Sequence, residues 1–351
     1  MKIVVLAGGL SSERAVSLVT SRSVCMALRE NGHQAVFVDL YFGLPDAPRD
    51  LQSVFSAPDG LCPPAEIAER APDLDAVRKS RVGDSKSLFG PNVLELCRLS
   101  DIVFLGLHGR DGEDGRVQAA LDLFGVPYTG SGYLASALAM DKAMTKRLME
   151  SAAIPTPKWR LLRYQESEID ALAEKLPMPC VIKCTTGGSS LGVFLPETRD
   201  ALRDALKNVL PYGGEVLMEE RIRGRELTVG VLGDRALPAV EIVPGGKEFD
   251  YRAKYQTGGA RELCPAPITP EQQEQAGNLA LRLHRTLGLQ VYSRTDFLLD
   301  EVGNFWCLEV NSLPGLTGAS LVPKEAAAIG MTYRELCEEI VKQSLRIERR
   351  G

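Results

Sequence analysis

Four polar residues in the last sixth of the sequence are spaced so that they could bind a metal ion. Arg294 and Asp296 lie two residues apart in one apolar run. Glu309 and Asn311 lie two apart in the next run. Alternate residues of a strand project to one face, so an antiparallel hairpin would bring the three oxygen-bearing side chains together. Carboxylate and amide oxygens without Cys or His suit Mg²⁺ that bridges to phosphate groups.

The alternative is that these side chains form the polar outer face of a sheet. Two observations favour a metal-binding site over that alternative. Trp306 and Leu308 are expected on the opposite, apolar face of the second strand. The segment Asn311–Gly315 then offers a backbone loop beside the acidic residues.

A glycine- and serine-rich stretch at residues 187–192 could bind phosphate. Its backbone N–H groups and the hydroxyls of Ser189 and Ser190 could face anionic oxygens. The stretch has no Gly-Lys-Ser/Thr and precedes a predicted strand, so it is not a P-loop and could equally be a flexible hairpin tip. Three lysines, each of which could instead be a solvated surface charge, could neutralise a triphosphate: Lys142, Lys183 and Lys254.

Two residues of the N-terminal region could contact a small substrate. Glu13 follows the turn Gly8–Ser12, where it could hold an ammonium group outside the carboxyl end of the first strand. Its alternative role is a favourable interaction with the helix dipole. His108 stands between a predicted strand and a glycine-rich loop, a position where ligands often bind. The Gly8-Gly9 turn lacks the Gly-x-Gly-x-x-Gly fingerprint, which excludes a nicotinamide-dependent enzyme.

Composition narrows the class of protein. The chain has 351 residues, 44% of them hydrophobic, and 41 Lys and Arg against 46 Asp and Glu give a net charge of −5. Two or three globular domains are expected from this length. The mild acidity and absence of a basic block argue against nucleic acid as a partner. No apolar run suggests a signal peptide or membrane span, so a cytoplasmic protein is expected. The eight scattered cysteines are expected to be reduced.

The apolar patterns predict the elements that would position these residues. A strand at Ile3–Ala7, a helix and a strand at Gln34–Leu40 form a βαβ unit, which begins a parallel α/β lobe. Residues 41–92 are rich in proline and are expected to form an irregular insertion. Further elements are predicted in the following order: a strand at Asp101–Leu107, helices at Val117–Phe124 and Met140–Ala152, strands at Cys180–Lys183 and Val193–Leu195, a helix at Asp200–Asn208, strands at Val216–Met218, Leu227–Leu232 and Leu237–Val243, a helix at Glu271–Leu287, and a hairpin of Val291–Leu299 with Phe305–Val310.

Seven motifs occur in the order known from one protein family: Gly8–Arg14, Leu107–Gly115, Pro127–Gly132, Met140–Lys142, Gly188–Ser190, Asp250–Tyr255 and Glu309–Gly315. On these motifs the chain resembles the D-alanine–D-alanine ligases of the ATP-grasp fold. The resemblance runs from Val4 to about Val341, apart from the insertion. It implies three lobes, a parallel α/β N-terminal lobe and two mixed lobes that clamp ATP. Their expected ranges are 1–130, 131–219 and 220–351.

The resemblance implies a two-step ligation that makes D-alanyl-D-alanine for peptidoglycan. ATP would phosphorylate the carboxylate of a first D-alanine, and the amine of a second would attack the acyl phosphate. Two Mg²⁺ ions, for which Mn²⁺ can substitute, would be held by Asp296, Glu309 and Asn311. The remaining phosphate charge would be met by four residues: Lys142, Lys183, Ser190 and Lys254.

The same resemblance implies the substrate contacts. Glu13, with His108 nearby, would hold the ammonium group of the first D-alanine. Ser320 and Leu321 would receive the carboxylate of the second. The oxyanion of the tetrahedral intermediate would be faced by Arg294 and a backbone N–H near Gly315.

The nucleotide and the closing loop complete the implied site. Glu219 and Glu226 correspond to contacts with adenine and ribose, and Ile222 to a backbone contact with adenine. Tyr255 would bond through Ser189 toward Glu13 and so close the long loop over the site, which would exclude water from the acyl phosphate.

Three residues depart from the family pattern, Cys184, Gly187 and Thr295, but none removes a chemical group. The pair Lys254-Tyr255 favours D-alanine over D-lactate or D-serine as the second substrate. A related ligase that uses one of those remains an alternative. A nucleotide-binding homologue without catalysis is disfavoured, because Arg294 and the three metal-binding candidates are present. A homodimer is expected.

Overall fold

The computed structural model describes residues 1–66, 72–83, 86–187, 192–245 and 260–349. In these ranges the chain forms three sheets, each covered by helices. No helix in the described part of the chain is long and apolar enough to cross a membrane. All eight cysteines are free thiols.

The N-terminal sheet is parallel, with strand order β2-β1-β3. Its central strand is flanked on both sides, and Ile3 to Ala7 are fully buried, which explains the uninterrupted apolar run. The elements of this part are β1 (Lys2–Ala7), α1 (Arg14–Glu30), β2 (Gln34–Asp39), a 3₁₀ helix (Leu51–Ser56), α2 (Leu74–Ser80), α3 (Val93–Leu99), β3 (Ile102–Leu105) and α4 (Arg116–Leu123). The βαβ unit expected from the sequence is therefore present, and the described residues of the proline-rich insertion contain two short helical segments.

A second sheet is antiparallel, with strand order β4-β7-β5-β6. Helices α7 and α8 pack together, and their apolar faces form a core with the sheet. The elements of this part are α5 (Tyr133–Met140), α6 (Lys142–Ser151), β4 (Trp159–Leu162), a 3₁₀ helix (Glu166–Glu168), α7 (Ile169–Lys175), β5 (Cys180–Cys184), β6 (Val193–Phe194), α8 (Arg199–Val209), a 3₁₀ helix (Leu210–Tyr212) and β7 (Val216–Glu220).

The helix predicted at Met140–Ala152 is wrong in one respect, because the chain forms two helices that meet at Asp141. The carboxylate of Asp141 accepts a hydrogen bond from the backbone N–H of Met144 at 3.0 Å and so begins a new helix. An aspartate at this position satisfies one of the unpaired N–H groups of a helix start. Lys142 consequently becomes the first residue of α6.

The third sheet is antiparallel, with strand order β11-β10-β8-β12-β13 and with β9 paired to β8. Strand β10 begins three residues later than the sequence pattern suggested, because β9 pairs with β8 first. The elements of this part are β8 (Arg225–Leu232), β9 (Arg235–Ala236), β10 (Val240–Pro244), β11 (Ala260–Leu263), α9 (Pro270–Thr286), β12 (Tyr292–Leu299), β13 (Phe305–Asn311), α10 (Leu321–Ala328) and α11 (Tyr333–Leu345).

Within the described ranges, the buried apolar residues fall into three cores, and each core combines segments that are distant in sequence. The core of the N-terminal sheet includes Leu336 and Ile340 of α11, which packs on α1. The core of the third sheet includes Ala135 and Met149, which precede the second sheet in sequence. The C-terminal helix therefore completes the N-terminal core, and helices α5 and α6 bind to the third sheet. The lobe boundaries expected at residues 130 and 219 stay a prediction.

Candidate active site

Two cavities lie where the sheets meet. The first cavity, about 210 Å³, is lined by Glu13 and His108 from the N-terminal part and by Arg294 and Ser320 from the C-terminal part. The second cavity, about 540 Å³, lies between the second and third sheets. The two cavities share a wall formed by five residues: Lys142, Gly187, Glu226, Asp296 and Glu309. A molecule in one cavity therefore meets a molecule in the other at three carboxylates and a lysine.

The hairpin of β12 and β13 brings its polar residues together as the sequence spacing indicated. Arg294 pairs with Asn311 across the two strands, and Asp296 pairs with Glu309. All four line the first cavity.

One expectation about this hairpin is wrong, because neither Trp306 nor Leu308 lies on the face opposite the acidic residues. The register shifts after Asp296, so that Phe297 pairs with Cys307 and Leu308 is the extra residue of a β-bulge. Leu308 lines the second cavity together with Glu309. The residues that reach the core from this strand are Phe305, Cys307 and Val310. The bulge is therefore what turns the apolar part of the strand inward and the acidic part outward.

The guanidinium of Arg294 makes a two-pronged ion pair with Asp296. Its Nε and Nη2 atoms donate to the two carboxylate oxygens at 2.9 and 3.0 Å. Thr228 donates a third hydrogen bond to the same carboxylate at 2.6 Å. Burial works to lower the pKa of Arg294, but the charge of Asp296 and its hydrogen bonds hold the pKa above its usual value. Arg294 is thus a permanent, fixed cation in the wall of the first cavity.

The three metal-binding candidates offer oxygen atoms on one wall, each with a partner already. Asp296 accepts three hydrogen bonds, and a carboxylate has about four lone-pair sites, which leaves one. Asn311 Oδ1 accepts from the backbone N–H of Leu313 at 2.8 Å. Glu309 lies 3.7 Å from the ammonium of Lys142. This donor set fits a hard cation that takes most of its ligands from phosphate and water. Among the residues described, no three His, Cys, Asp or Glu side chains form a metal cluster of their own.

Lys142 is held at the start of α6 so that its ammonium reaches both cavities. Its backbone N–H donates to the carbonyl of Thr185 at 2.9 Å, and its Nζ donates to the carbonyl of Gly187 at 2.6 Å. Lys142 is 8% exposed. The lysine therefore connects the first turn of α6 to the beginning of the glycine-rich stretch.

Glu219 lies between two buried lysines. Its Oε1 atom is 2.9 Å from Lys146 Nζ, and its Oε2 atom accepts from Lys183 Nζ at 2.9 Å. Burial works to raise the pKa of Glu219, but the two lysine charges hold it below the usual value. Burial works to lower the pKa of Lys183, but the charges of Glu219 and Glu309 hold it above the usual value. Glu219 thus orients Lys183 in the wall of the second cavity.

Lys146 was not identified by the sequence analysis. Its side chain is fully buried, and its Nζ also donates to the hydroxyl of Thr156 at 2.6 Å. Burial lowers its pKa, although Glu219 partly opposes this effect. The available signal was its spacing, because Lys146 follows Lys142 by one helical turn on the same face.

The N-terminal wall of the first cavity is built on two glycines. Gly8 and Gly9 adopt φ of +72° and +75°, and a Cβ atom on Gly8 would collide with Asp39 and Arg14. This turn places Glu13 directly before α1. Glu13 is 8% exposed and lies against Gly109 of the opposite loop, where a Cβ atom would come within 2.6 Å of its Oε2.

His108 is fixed from both sides of its ring. Its Nδ1 donates to the carbonyl of Leu313 at 3.1 Å, and its Nε2 lies 3.0 Å from the hydroxyl of Thr20. Glu113, which the sequence analysis quoted only as part of the loop, lies 3.5 Å from Nδ1 and accepts from the backbone N–H of Gly109 at 3.0 Å. Burial raises the pKa of Glu113, with a further contribution from Glu13 and opposition from His108. Two buried carboxyl groups therefore face the first cavity here.

The far wall of the first cavity is the loop before α10. Ser320 Oγ accepts from the backbone N–H of Thr317 at 3.0 Å and lies 2.8 Å from the Thr317 hydroxyl. A Cβ atom on Gly315 would come within 2.9 Å of Ser320 Oγ. The loop is thus closed on itself, and Ser320 and Leu321 begin the helix.

The structure brings together every described residue that the sequence analysis assigned to the site. The assigned residues that line only the first cavity are Glu13, His108, Arg294, Asn311, Gly315, Ser320 and Leu321. The assigned residues that line only the second cavity are Lys183, Glu219 and Ile222. The shared wall contains Lys142, Glu226, Asp296 and Glu309. Four further candidates lie outside the described residues: Ser189, Ser190, Lys254 and Tyr255.

Comparison with known proteins identifies the family. The model of the D-Ala–D-Ala ligase N-terminus matches residues 2–131, and the model of the D-Ala–D-Ala ligase C-terminus matches residues 148–342. The chain belongs to the D-alanine–D-alanine ligase family. It is accordingly an enzyme of the ligase class.

The relatives extend over the whole chain. A D-alanine–D-alanine ligase of Pediococcus pentosaceus is 39% identical, with 98% of each chain covered. One of Gluconobacter oxydans is 39% identical, with 98% of this chain and 99% of the relative covered. The crystal structure of a D-alanine–D-alanine ligase from Bacillus anthracis matches with a TM-score of 0.73 and 31% identity, and covers 99% of this chain and 98% of that one. These matches confirm the ATP-grasp ligase fold that the motifs implied.

Proposed function

We propose that this ligase joins two D-alanine molecules into D-alanyl-D-alanine, with ATP converted to ADP and phosphate, as a precursor for peptidoglycan. The observation that carries the proposal is the wall shared by the two cavities. A nucleotide in the second cavity would extend its phosphates to Lys142, Asp296 and Glu309, and a small amino acid in the first cavity meets the same residues. The family names of the relatives supply the substrates, and a Bacillus anthracis relative of 28% identity was solved in complex with ATP.

In the first step, the chain would bind the nucleotide and the first D-alanine on opposite sides of the shared wall. Lys142 and Lys183 neutralise phosphate charge, and Glu219 keeps Lys183 in place. Adenine and ribose are assigned to Ile222, Glu219 and Glu226. Because both oxygens of Glu219 contact lysines, its part in adenine binding is to orient Lys183 as much as to contact the base.

The metal is assigned to Asp296, Glu309 and Asn311. Mg²⁺, or Mn²⁺ in its place, would supply charge neutralisation for the phosphate oxygens when bound. The protein's own contribution is to hold the three oxygen donors on one wall through the hairpin register.

The first D-alanine is assigned to Glu13 and His108. The carboxylate of Glu13 would hold the ammonium group, and the fixed ring of His108 would limit the space beside it. The first cavity would thereby direct the substrate carboxylate away from the acidic N-terminal wall and toward Lys142 and Arg294. Positioning of this kind, rather than covalent chemistry by the enzyme, accounts for most catalysis in phosphoryl transfer.

In the second step, Ser320 and Leu321 would receive the carboxylate of the second D-alanine at the beginning of α10. Its amine attacks the acyl phosphate carbon, and the resulting oxyanion faces Arg294 and a backbone N–H near Gly315. Phosphate leaves as the peptide bond forms. Ser189, Ser190, Lys254 and Tyr255 would complete the phosphate site and the closing loop that excludes water.

Product analysis tests the proposal. Purified protein is incubated with ATP and Mg²⁺ and with D-alanine alone or together with D-lactate or D-serine, and the products are identified by mass spectrometry. The expected product is D-alanyl-D-alanine in each mixture. Absence of D-alanine-dependent ADP release would contradict the proposed ligation of D-alanine, and preferential formation of an ester or a mixed dipeptide would reassign the second substrate.

The metal assignment has its own test. Glu309→Gln should raise the Mg²⁺ concentration needed for half-maximal rate, since it removes a charged ligand. Glu215→Gln is the matched control, because Glu215 pairs with Arg163 at the surface, away from both cavities. Equal Mg²⁺ requirement in the two variants would contradict the assignment of Glu309.

A cytoplasmic homodimer accompanies the proposal as an expectation from the family resemblance. Light scattering of the purified protein during size-exclusion chromatography measures the assembly directly. A mass of one chain at the concentrations used for the rate measurements would contradict the homodimer.

A further inference from the structure

Helix α10 connects the second-substrate end of the first cavity to the interior of the third sheet. Its first residue, Leu321, and the N-cap residue before it, Ser320, line the cavity. One turn further on, Glu325 is fully buried and is not among the residues that line the cavity. Whatever fixes Glu325 therefore also fixes the position of the helix start.

Glu325 is bonded to the backbone of the neighbouring sheet. Its Oε1 atom accepts a hydrogen bond from the backbone N–H of Gly230 in β8 at 2.9 Å. Pairing of β8 with β10 ends at Thr228, and pairing with β9 begins at Val231. The N–H of Gly230 falls in the gap between these two ladders, where a buried donor requires a partner from elsewhere. Glu325 supplies that partner.

Gly230 is also the residue directly opposite Arg294 in the pairing of β8 with β12. Residues opposite each other project to the same face of a sheet. A Cβ atom on Gly230 would collide with Oε2 of Glu325. The missing side chain therefore leaves space for the Glu325 carboxyl on the face of the sheet that carries Arg294.

The surroundings of the Glu325 carboxyl are consistent with a fixed, specific contact. Its Oε2 atom is buried and has no hydrogen-bond partner among the described residues. Burial raises the pKa of Glu325 to about 8, while the Gly230 N–H and the charge of Arg294 oppose the shift. Helix α10 makes a second contact with the sheet, an ion pair between Lys324 and Glu262 of β11. This pair is partly exposed, so its contribution to stability is expected to be small.

We propose that Glu325 is a positioning residue for the second D-alanine: its hydrogen bond to Gly230 sets the distance between the Ser320–Leu321 helix start and Arg294. The inference rests on the proposed function, in which the helix start receives the substrate carboxylate and Arg294 faces the reacting carbonyl. Loss of the bond moves one of these groups relative to the other. Affinity for the second D-alanine then falls, whereas ATP, held in the second cavity, is bound as before.

Steady-state kinetics of four variants test the role. Glu325→Ala should raise the KM for the second D-alanine about tenfold, the effect of a small displacement of a binding group, and leave the KM for ATP within about twofold. Glu325→Gln retains an acceptor for Gly230 and should restore most of the affinity. Gly230→Ala should reproduce the defect, because its methyl group displaces the carboxyl. Combining Gly230→Ala with Glu325→Ala should add little to either change alone.

Glu241→Ala is the matched control, because Glu241 lies in the same sheet and pairs with Arg225 outside both cavities. It should leave both KM values unchanged. Thermal unfolding of each variant identifies those that fold, and if Gly230→Ala does not fold, the pair Glu325→Ala and Glu325→Gln decides the question. Two results would overturn the role of Glu325: a folded Glu325→Ala variant whose KM for the second D-alanine is unchanged, or one whose KM for ATP rises as much as its KM for the second D-alanine.

The test separates this inference from the proposed function. If the wild-type protein forms no dipeptide, the proposed function is overturned. The substrate that Glu325 is proposed to position is then overturned as well. The wild-type protein could instead form dipeptide while Glu325→Ala leaves the KM for the second D-alanine unchanged. That result would overturn the role of Glu325 alone.

Discussion

Lys146 Nζ lies 2.9 Å from Glu219 Oε1, although the lysine side chain is fully buried. The same carboxylate holds Lys183 on its other oxygen. A buried charge is tolerated only when it is paired and hydrogen-bonded. One acidic residue thus balances two lysines, of which only Lys183 reaches the second cavity.

Replacement of Lys146 by Met should therefore weaken both the fold and ATP binding. It leaves Glu219 Oε1 without its charged partner, which should lower the free energy of unfolding by about 1–3 kcal/mol. The freed carboxylate should bind Lys183 more tightly and raise the KM for ATP. Urea unfolding and ATP-dependent rates measure the two effects. Lys207→Met, which removes a lysine from an exposed pair with Glu166, should cost less than about 1 kcal/mol.

Arg294→Lys should reduce kcat while leaving ATP binding nearly intact. Lysine cannot make the two-pronged pair with Asp296, so its ammonium would not be fixed in the orientation that faces an oxyanion. A loss of roughly 10²-fold in kcat is expected from removal of one such donor. Initial rates at saturating substrate measure it, with Arg163→Lys at the surface as the control. Wild-type kcat in Arg294→Lys would rule out oxyanion stabilisation by this residue.

Gly109→Ala and Gly125→Ala form a matched pair that isolates the environment of Glu13. The two glycines have similar φ, +68° and +64°, so each substitution should cost about 1 kcal/mol of stability from backbone strain. Only at Gly109 would the new methyl group approach Glu13, since nothing lies within 4 Å at Gly125. The KM for the first D-alanine should rise in Gly109→Ala alone. A similar rise in both variants would show that Glu13 is not the residue affected.

His284 should make the protein sensitive to mild acid. Burial, with a contribution from Arg285, lowers its pKa from 6.5 to about 4, and its Nδ1 lies 2.7 Å from the hydroxyl of Ser293. Below pH 6.5 the unfolded chain binds a proton at this position that the folded chain does not, so stability falls as the pH falls. The loss between pH 7.5 and pH 5 should be about 2 kcal/mol.

Urea unfolding of His284→Asn at the two pH values measures that contribution, because asparagine does not titrate. The pH-dependent loss of stability should be smaller in this variant than in the wild type by about the same 2 kcal/mol. His33→Asn, which leaves His284 in place, should retain the wild-type difference. Identical pH dependence in His284→Asn and the wild type would contradict the prediction.

Spacing along the sequence was sufficient for those parts of the site that depend on local geometry. Two-residue spacing predicted the shared face of Arg294 and Asp296, and a turn signal predicted that Glu13 lies after the turn Gly8–Ser12 at the beginning of a helix. The bulge at Leu308 was not predictable in this way, because period-two alternation assumes an uninterrupted register. It reverses the side on which Leu308 lies.

Spacing along the sequence also could not predict contacts between elements that are distant in sequence. Lys146 and Glu219 lie 73 positions apart by number and meet only when α6 packs near β7. Glu325 and Gly230 are brought together by a gap in strand pairing that no local pattern records. Burial of charged residues depends on such pairings, so the sequence left open a solvated role for Lys142 and Lys183, which the fold buries.

The position of α11 also determines when the protein can fold. Its buried residues complete the core of the N-terminal sheet, and Ser344 accepts a hydrogen bond from the backbone N–H of Gly130. During synthesis the ribosome must therefore release almost the entire chain before the first sheet can bury its apolar surface. A nascent chain that stalls near residue 130 would expose the face of α1 that α11 normally covers, and its fate would depend on chaperones rather than on its own core.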